Sequence, residues 1–270
     1  MSETKSTHAL EVRGLVKKFG PRTVLNDISF TLKRGEILVI MGGSGCGKST
    51  LLRHLIGVLK PNEGEIHVLG TDITKLDDDG LAKVRRRFAM MHQFGALLNS
   101  LTVGQNVALP LLESGNVSES IADLVVKLKL ELVGLTGFEH LKPSEISGGM
   151  RKRVGMARAL ALDPELLFCD EPTSGLDPVM TAVIDQLTLD MVHKLGITAV
   201  VVTHDMTSAF RIANKMIMLF EGQIIAQGTP DEIRNNPDPR LQQFIKGEAD
   251  GPIPLKLSRD DYIKRLLSVD

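Results

Sequence analysis

Several things are scarce in this 270-residue chain. It has two cysteines, Cys46 and Cys169, too few for a disulfide framework, and that suits a reducing compartment such as the cytosol. No apolar run approaches the roughly 20 residues that span a bilayer; the longest, such as Ile197–Val202, have the length of a strand. The opening MSETKSTHAL lacks the apolar core of a signal peptide. Work at a membrane would therefore need recruitment by another chain. Charge of one sign is missing too: 32 basic residues against 33 acidic ones leave a net −1. Without a basic excess, nucleic acid is not expected as a partner. Apolar residues are plentiful at 43%, enough for a sizeable core in one large domain or two lobes.

The chain is organised around GGSGCGKST, which is Gly42, Gly43, Ser44, Gly45, Cys46, Gly47, Lys48, Ser49 and Thr50. It fits G-x-x-x-x-G-K-[ST], and it lies between a short apolar run, 36–41, and a stretch, 51–59, with helical spacing. Glycines let backbone N–H groups close around phosphate oxygens, and the following helix adds its positive end. Lys48 is placed to reach the β and γ phosphates of a nucleotide and Ser49 to ligate Mg²⁺.

Residues 10–19 and 24–32 pattern as two strands; in the second, Val24, Ile28, Phe30 and Leu32 nearly alternate, with Asn26 breaking the period. Strands are also expected at 65–69, 88–92, 166–169 and 197–203, and a hairpin turns at Glu221-Gly222. The run Arg85–Arg87 is expected to be a solvated helix end. Between about 95 and 165 the pattern is predominantly helical. Thr102-x-x-Gln105 forms a capping box, and Ile121, Leu124, Val125, Leu128 and Leu132 recur at helical spacing. The prolines at 237, 239, 252 and 254 suggest an extended tail from 238, with a short amphipathic helix after Ser258.

Asp170 and Glu171 end an apolar strand, where sites of parallel α/β sheets lie. Asp170 suits a water-mediated hold on Mg²⁺, and Glu171 suits accepting a proton from an attacking water. Ser147-Gly148-Gly149-Met150 opens a helix, a ready anion site. Asp177-Pro178 is an N-cap followed by a first helical residue.

With these residues in place, the chain resembles the ATP-binding cassette (ABC) ATPases over roughly residues 9–235. Six motifs stand in the family's order: 42–50 as Walker A, Gln93 as the Q-loop, 146–150 as the signature, 166–171 as Walker B with its glutamate, 174–177 as the D-loop, and His204 as the switch histidine. The resemblance implies an α/β fold: a P-loop NTPase (RecA-like) core with an antiparallel β subdomain, an inserted helical subdomain and a C-terminal tail. It implies an ATPase domain over 8–237 and an extension over 238–270. It also implies Mg-ATP hydrolysis in a head-to-tail homodimer, where ATP at Lys48 and Ser49 of one subunit is closed over by Ser147 and Gly149 of the other, with Asp177 at the interface. Phe19 would stack on adenine. Glu171 would act on the water, His204 on the γ-phosphate, and Gln93 on Mg²⁺ or the water. The signature departs from the usual pattern at Met150 and Ile146, and Phe19 stands for the commoner Tyr.

Within the family, QFGALLNSLTVGQNV from Gln93, the Met-ended ISGGM and DPRLQQFIKGEADGPI from Asp238 look like the ATPase subunit of Mla/MCE lipid transporters. That branch implies a separate integral-membrane permease, a periplasmic MCE lipid-binding protein, often a small STAS-domain partner, and a peripheral place on the cytoplasmic face of the bacterial inner membrane. Two other readings share the motifs. One is the ATPase of another importer branch. The other is a soluble ABC ATPase acting on DNA or ribosomes, which the short helices between Lys48 and Ser147 and the single cassette disfavour. The tail would be either a floppy end or an arm docking on the other ATPase subunit.

Overall fold

The computed structural model describes residues 7–93, 95–115 and 117–253. In chain order the strands are β1 (His8–Phe19), β2 (Arg22–Lys33), β3 (Ile37–Met41), β4 (Glu63–Val68), β5 (Thr71–Asp72), β6 (Phe88–Met91), β7 (Leu166–Asp170), β8 (Thr198–Val202), β9 (Lys215–Phe220) and β10 (Gln223–Gly228). The helices are α1 (Lys48–Leu55), α2 (Asp78–Arg85), α3 (Val103–Glu113), α4 (Glu119–Leu132), α5 (Gly148–Ala159), α6 (Pro178–Leu195), α7 (Met206–Ile212), α8 (Pro230–Asn235) and α9 (Pro239–Lys246).

Two sheets result. One is antiparallel, ordered β2-β1-β4-β5; the other runs β10-β9-β3-β8-β7-β6 and is parallel except at β10. All five residues of β3 are buried, which explains its unbroken apolar run. Its alternate residues serve two cores. Leu38 and Ile40 join the cluster beneath the antiparallel sheet; Ile37, Val39 and Met41 join the cluster shared with the helical lobe. Fully burying each such side chain contributes about 1.5–3 kcal/mol.

Local devices match the sequence. The Thr102–Gln105 capping box closes in both directions. Asp177 Oδ1 accepts from the N–H groups of Val179 and Met180, with Pro178 in the first turn. Glu221 and Gly222 both have positive φ, as a tight hairpin between twisted strands requires.

Four expectations need correction, and one helix shows which of its faces is buried. In β2 the period is reset by Asp27, whose φ is 52°, so that Leu25 and Ile28 are both buried. The helix expected over 51–59 spans Lys48–Leu55, because Gly57 turns left-handed behind it. On α4, of the residues that recur at helical spacing only Val125 packs against the core; Ile121, Leu124, Leu128 and Leu132 are exposed, while Ala122, Val126, Lys129 and Leu130 are buried. Arg87 is not merely solvated, since its Nε donates to Glu165 Oε1 at 2.7 Å. The segment from 238 is helical rather than extended: Pro239 occupies the first turn of α9, Asp238 caps it, and Leu241 is fully buried. The helix expected after Ser258 lies outside the described residues. Among the described residues no helix is long and apolar enough to cross a membrane.

Candidate functional site

The order β3-β8-β7-β6 places the C-terminal ends of four parallel strands side by side. Each end feeds a motif. The phosphate loop follows β3, His204 follows β8, Asp170 ends β7 with Glu171 just after it, and Gln93 follows β6. Register holds them level: Ile40 pairs with Val202, Val202 with Asp170, and Cys169 with Met91.

Gly47 caps α1 at φ 112°, a conformation side chains rarely adopt. Lys48 Nζ donates to the carbonyls of Gly42 and Gly43, at 2.7 and 3.0 Å, so the ammonium lies over its own loop. A cleft of 280 Å³ is lined by Phe19, Arg22, Val24, Gly45, Gly47, Lys48, Ser49 and Thr50. A larger cavity, 620 Å³, lies between α3 and α4, away from every motif. We take the smaller one as the chemical site, because the phosphate loop and the helix end form its wall. Phe19 is half exposed, with Lys17 Nζ 5.1 Å from its ring centre.

Arg22 and Val24 were not foreseen from the sequence. The signal was available: Gly20-Pro21 turns the chain so that Arg22 pairs with Phe19. Cys46, by contrast, does not line the cleft. Its side chain is buried beneath the loop in the core. Its carbonyl accepts from Gly222 N at 3.1 Å, while Gly222 O accepts from Asn26 N at 2.8 Å. The distant hairpin thus braces the phosphate loop, a contact that sequence spacing gives no hint of.

At the end of β7, burial first and the neighbouring charge of Glu171 second raise the pKa of Asp170. Glu171 has φ 50°. His204 Nδ1 lies 2.8 Å from Glu171 Oε2, outside hydrogen-bond alignment, so that buried oxygen has no hydrogen-bond donor among the described residues. A carboxylate with a free lone pair beside an imidazole is equipped to accept a proton. Gln93 Nε2 donates to Ser174 Oγ at 3.3 Å, joining the ends of β6 and β7. Cys169, one residue back, is fully buried, and burial pushes its thiol up to about 12, so it stays protonated.

Ser147, Gly148 and Gly149 are not brought into this cluster; they form the start of α5. Ser147 Oγ accepts from Met150 N at 3.2 Å and caps the helix. Met150 therefore contributes its backbone to the cap, while its side chain packs against the core. Gly149 is pressed against Met180 of α6, where a Cβ would meet Met180 Cε at 2.7 Å. Asp177 is likewise committed to capping α6.

The family model for ABC transporters matches residues 25–174. The intermembrane phospholipid transport system ATP-binding protein MlaF of Haemophilus influenzae is 41% identical over 257 residues, 95% of this chain and 97% of that one. The probable ribonucleotide transport ATP-binding protein mkl of Mycobacterium leprae is 42% identical over 254 residues, 94% of this chain and 73% of that one. A solved ATP-binding cassette, dimeric and in a post-hydrolysis state with ADP and Pi, superposes with TM-score 0.74 at 33% identity, covering 82% of this chain and 98% of its own. On these matches the chain belongs to the ABC transporter family as an ATP-hydrolysing cassette.

Proposed function

We propose that this cassette powers phospholipid movement between the inner and outer membranes of a bacterium, as a peripheral subunit on the cytoplasmic face of the inner membrane. The observation that carries this reading is the end-to-end match to the Haemophilus phospholipid-transport subunit, 97% of whose length is covered. The mycobacterial relatives favour a second reading, a cassette of another transporter with the same ATPase chemistry, but only 73% of the M. leprae chain is covered.

In the proposed site, adenine stacks on Phe19, with Arg22 and Val24 beside it, and the phosphates lie in the loop 42–50. Lys48 exchanges the Gly42 and Gly43 carbonyls for phosphate oxygens. Ser49, Asp170 and Gln93 would hold Mg²⁺. The fit is good: these are hard oxygen donors, and Asp170, burdened by burial and by Glu171, gains from a cation. The ion, when bound, supplies positive charge to the phosphoryl oxygens. Glu171 orients the attacking water and accepts its proton. His204, adjoining that carboxylate, donates to the γ-phosphate and supports the charge that develops there.

A second copy completes the site. The start of α5, with Ser147, Gly148 and Gly149, closes over the partner's nucleotide, with Asp177 near the same interface; the dimeric state of the solved neighbour supports this. Ser147 keeps its O–H free to donate to phosphate, because the cap uses only its acceptor side. Binding energy then assembles the catalytic site.

The permease docks at a cleft of 320 Å³ lined by Phe88, Met90, Leu109 and Leu162. This cleft adjoins β6, which leads to Gln93. The permease connects the cassette to a periplasmic MCE lipid-binding protein. The exposed apolar stripe of α4 is assigned to the small STAS-domain partner.

The test is purification of the tagged chain from detergent-solubilised membranes, with co-purifying proteins and lipids identified by mass spectrometry. A permease, an MCE protein and phospholipid are expected. A permease with a solute-binding protein and no lipid would move the substrate elsewhere, and recovery with ribosomes or DNA alone would overturn the membrane reading.

A further inference from the structure

Glu171 is held in an uncommon way. Its φ of 50° is left-handed, a conformation that a non-glycine residue adopts only when its surroundings impose it. Three hydrogen bonds do so, each from a different element. Glu171 N donates to Val202 O of β8 at 2.9 Å, and Ser174 N, from the loop that runs to α6, donates to Glu171 O at 3.2 Å. The third comes from α5: Lys152 Nζ donates to the same carbonyl at 3.2 Å.

Lys152 is buried, with 6% exposure, and this carbonyl is its one hydrogen-bond acceptor among the described residues. Burial lowers its pKa, while the charge of Glu171 acts in the opposite sense. Keeping an ammonium in such a place costs free energy that a methionine of similar length would not. Packing alone therefore does not account for a lysine here. What Lys152 supplies is a donor and a charge, both directed at the backbone that carries the proposed catalytic carboxylate.

Its position on α5 gives that contact a second meaning. Ser147, at the start of the same helix, lies five residues away, little more than one turn. The helix is fastened to the Q-loop as well. Arg158 donates to the carbonyls of Gly95 and Ala96 at 2.9 and 2.8 Å, and a Cβ on Gly155 would meet Gly95 Cα at 3.0 Å. A displacement of the start of α5 is thus carried by a rigid element to two parts of its own subunit's nucleotide site.

We propose that Lys152 is a positioning residue that couples the two ATP sites, tying Glu171 of one site to the helix whose N-terminus closes the other. The inference rests on the head-to-tail dimer proposed above. Nucleotide engaged by Ser147 fixes α5; α5 fixes Lys152; Lys152 fixes the backbone of Glu171. Each site then becomes competent only when its neighbour is filled, which makes hydrolysis cooperative in ATP.

The test uses the full chain purified with its membrane partner and measures hydrolysis against ATP concentration. Lys152→Met, close in length but without donor or charge, and Lys152→Gln, shorter and without the charge, are expected to lower kcat about tenfold, to abolish cooperativity, and to leave binding of ATP by the separate subunits unchanged. Lys152→Arg, which keeps donor and charge, is expected to restore cooperativity at least in part. A purely structural lysine would lower the yield or Tm of the Met and Gln variants while the folded fraction kept the parent's ATP dependence, and that result would overturn the coupling. Size measurement of a Glu171→Gln variant with ATP checks the dimer separately. If no dimer forms, the head-to-tail reading fails; if a dimer forms and Lys152→Met remains cooperative, only the coupling fails.

Discussion

His204 Nδ1 stands 2.8 Å from Glu171 Oε2 across the ends of two adjacent strands, β8 and β7. The imidazole is mostly exposed and the carboxylate mostly buried, with side-chain exposures of 65% and 14%. One face of this pair is open to an incoming phosphate; the other is fixed by the protein. Glu171→Gln keeps the shape and removes the proposed base. It is expected to lower ATP hydrolysis by about 10²–10⁴-fold, the range of a lost general base, while ATP binding persists. Single-turnover hydrolysis and nucleotide binding, measured together, check this; parental turnover in the variant would remove Glu171 from its assigned role.

Asp170 should trade stability for chemistry. Its folded pKa is raised, so its charge opposes folding, and the penalty is present once pH passes above the folded value, hence at neutral pH. Asp170→Asn is expected to raise Tm at pH 7, by roughly 2–4 °C for each kcal/mol relieved, and to lose Mg-dependent hydrolysis. The gain should shrink as pH falls through the folded pKa. Calorimetry at pH 7 and in mild acid, beside an ATPase assay, decides it; a lower Tm would show that the carboxylate stabilises the apo protein.

Glu165 carries the opposite sign. Arg87 first, and Arg34 with it, hold its pKa at about 2, below the ordinary 4.5 of a glutamate. Its contribution is fully present above 4.5 and is lost as pH falls from there through about 2. Glu165→Gln is expected to lower unfolding free energy at pH 7 on the order of 1 kcal/mol, discounted for its partial exposure. The difference from the parent should narrow below pH 4.5. Urea unfolding at several pH values measures both arms.

Gly222 offers a test of the brace on the phosphate loop. Its φ is 78°, and an added Cβ would meet Val24 O at 2.4 Å. Gly222→Ala should therefore move the hairpin, loosening its hydrogen bonds to Cys46 and Asn26. The expected result is a loss of about 1–3 kcal/mol in stability together with a raised KM for ATP. An unchanged KM in a destabilised protein would confine the hairpin's effect to folding.

The outer face of α4 predicts a separable defect. Leu124 and Leu128 are 60% and 52% exposed, and single charged substitutions there should leave folding within about 0.5 kcal/mol of the parent. Leu124→Glu with Leu128→Glu is expected to keep the basal ATPase and to lose the proposed STAS-domain partner in pull-downs. Retention of that partner would put its interface elsewhere.

The α4 face also shows where sequence reading stops. The helix itself was legible, since apolar residues recur at its period. That helix carries two apolar stripes, however, and periodicity does not say which one meets the core. The buried one includes Lys129, a residue expected outside, whose ammonium is matched by Asp163. Glu165 was equally opaque: nothing near it in sequence announces Arg34, more than a hundred residues earlier.

What the sequence by itself determined are features whose parts lie within a few residues of each other. The phosphate loop needs Gly47 at φ 112°, the capping box needs Thr102 and Gln105, and the hairpin needs Glu221-Gly222. Each depends on local backbone conformation, which the residue types there control. Only the tertiary structure decided how the motifs meet. The strand order β3-β8-β7-β6 brings Gln93, Glu171 and His204 to one edge. Lys152 reaches Glu171, and Gly222 reaches Cys46. Such contacts join segments far apart in the chain, and their energy comes from packing and burial that no single stretch of sequence contains.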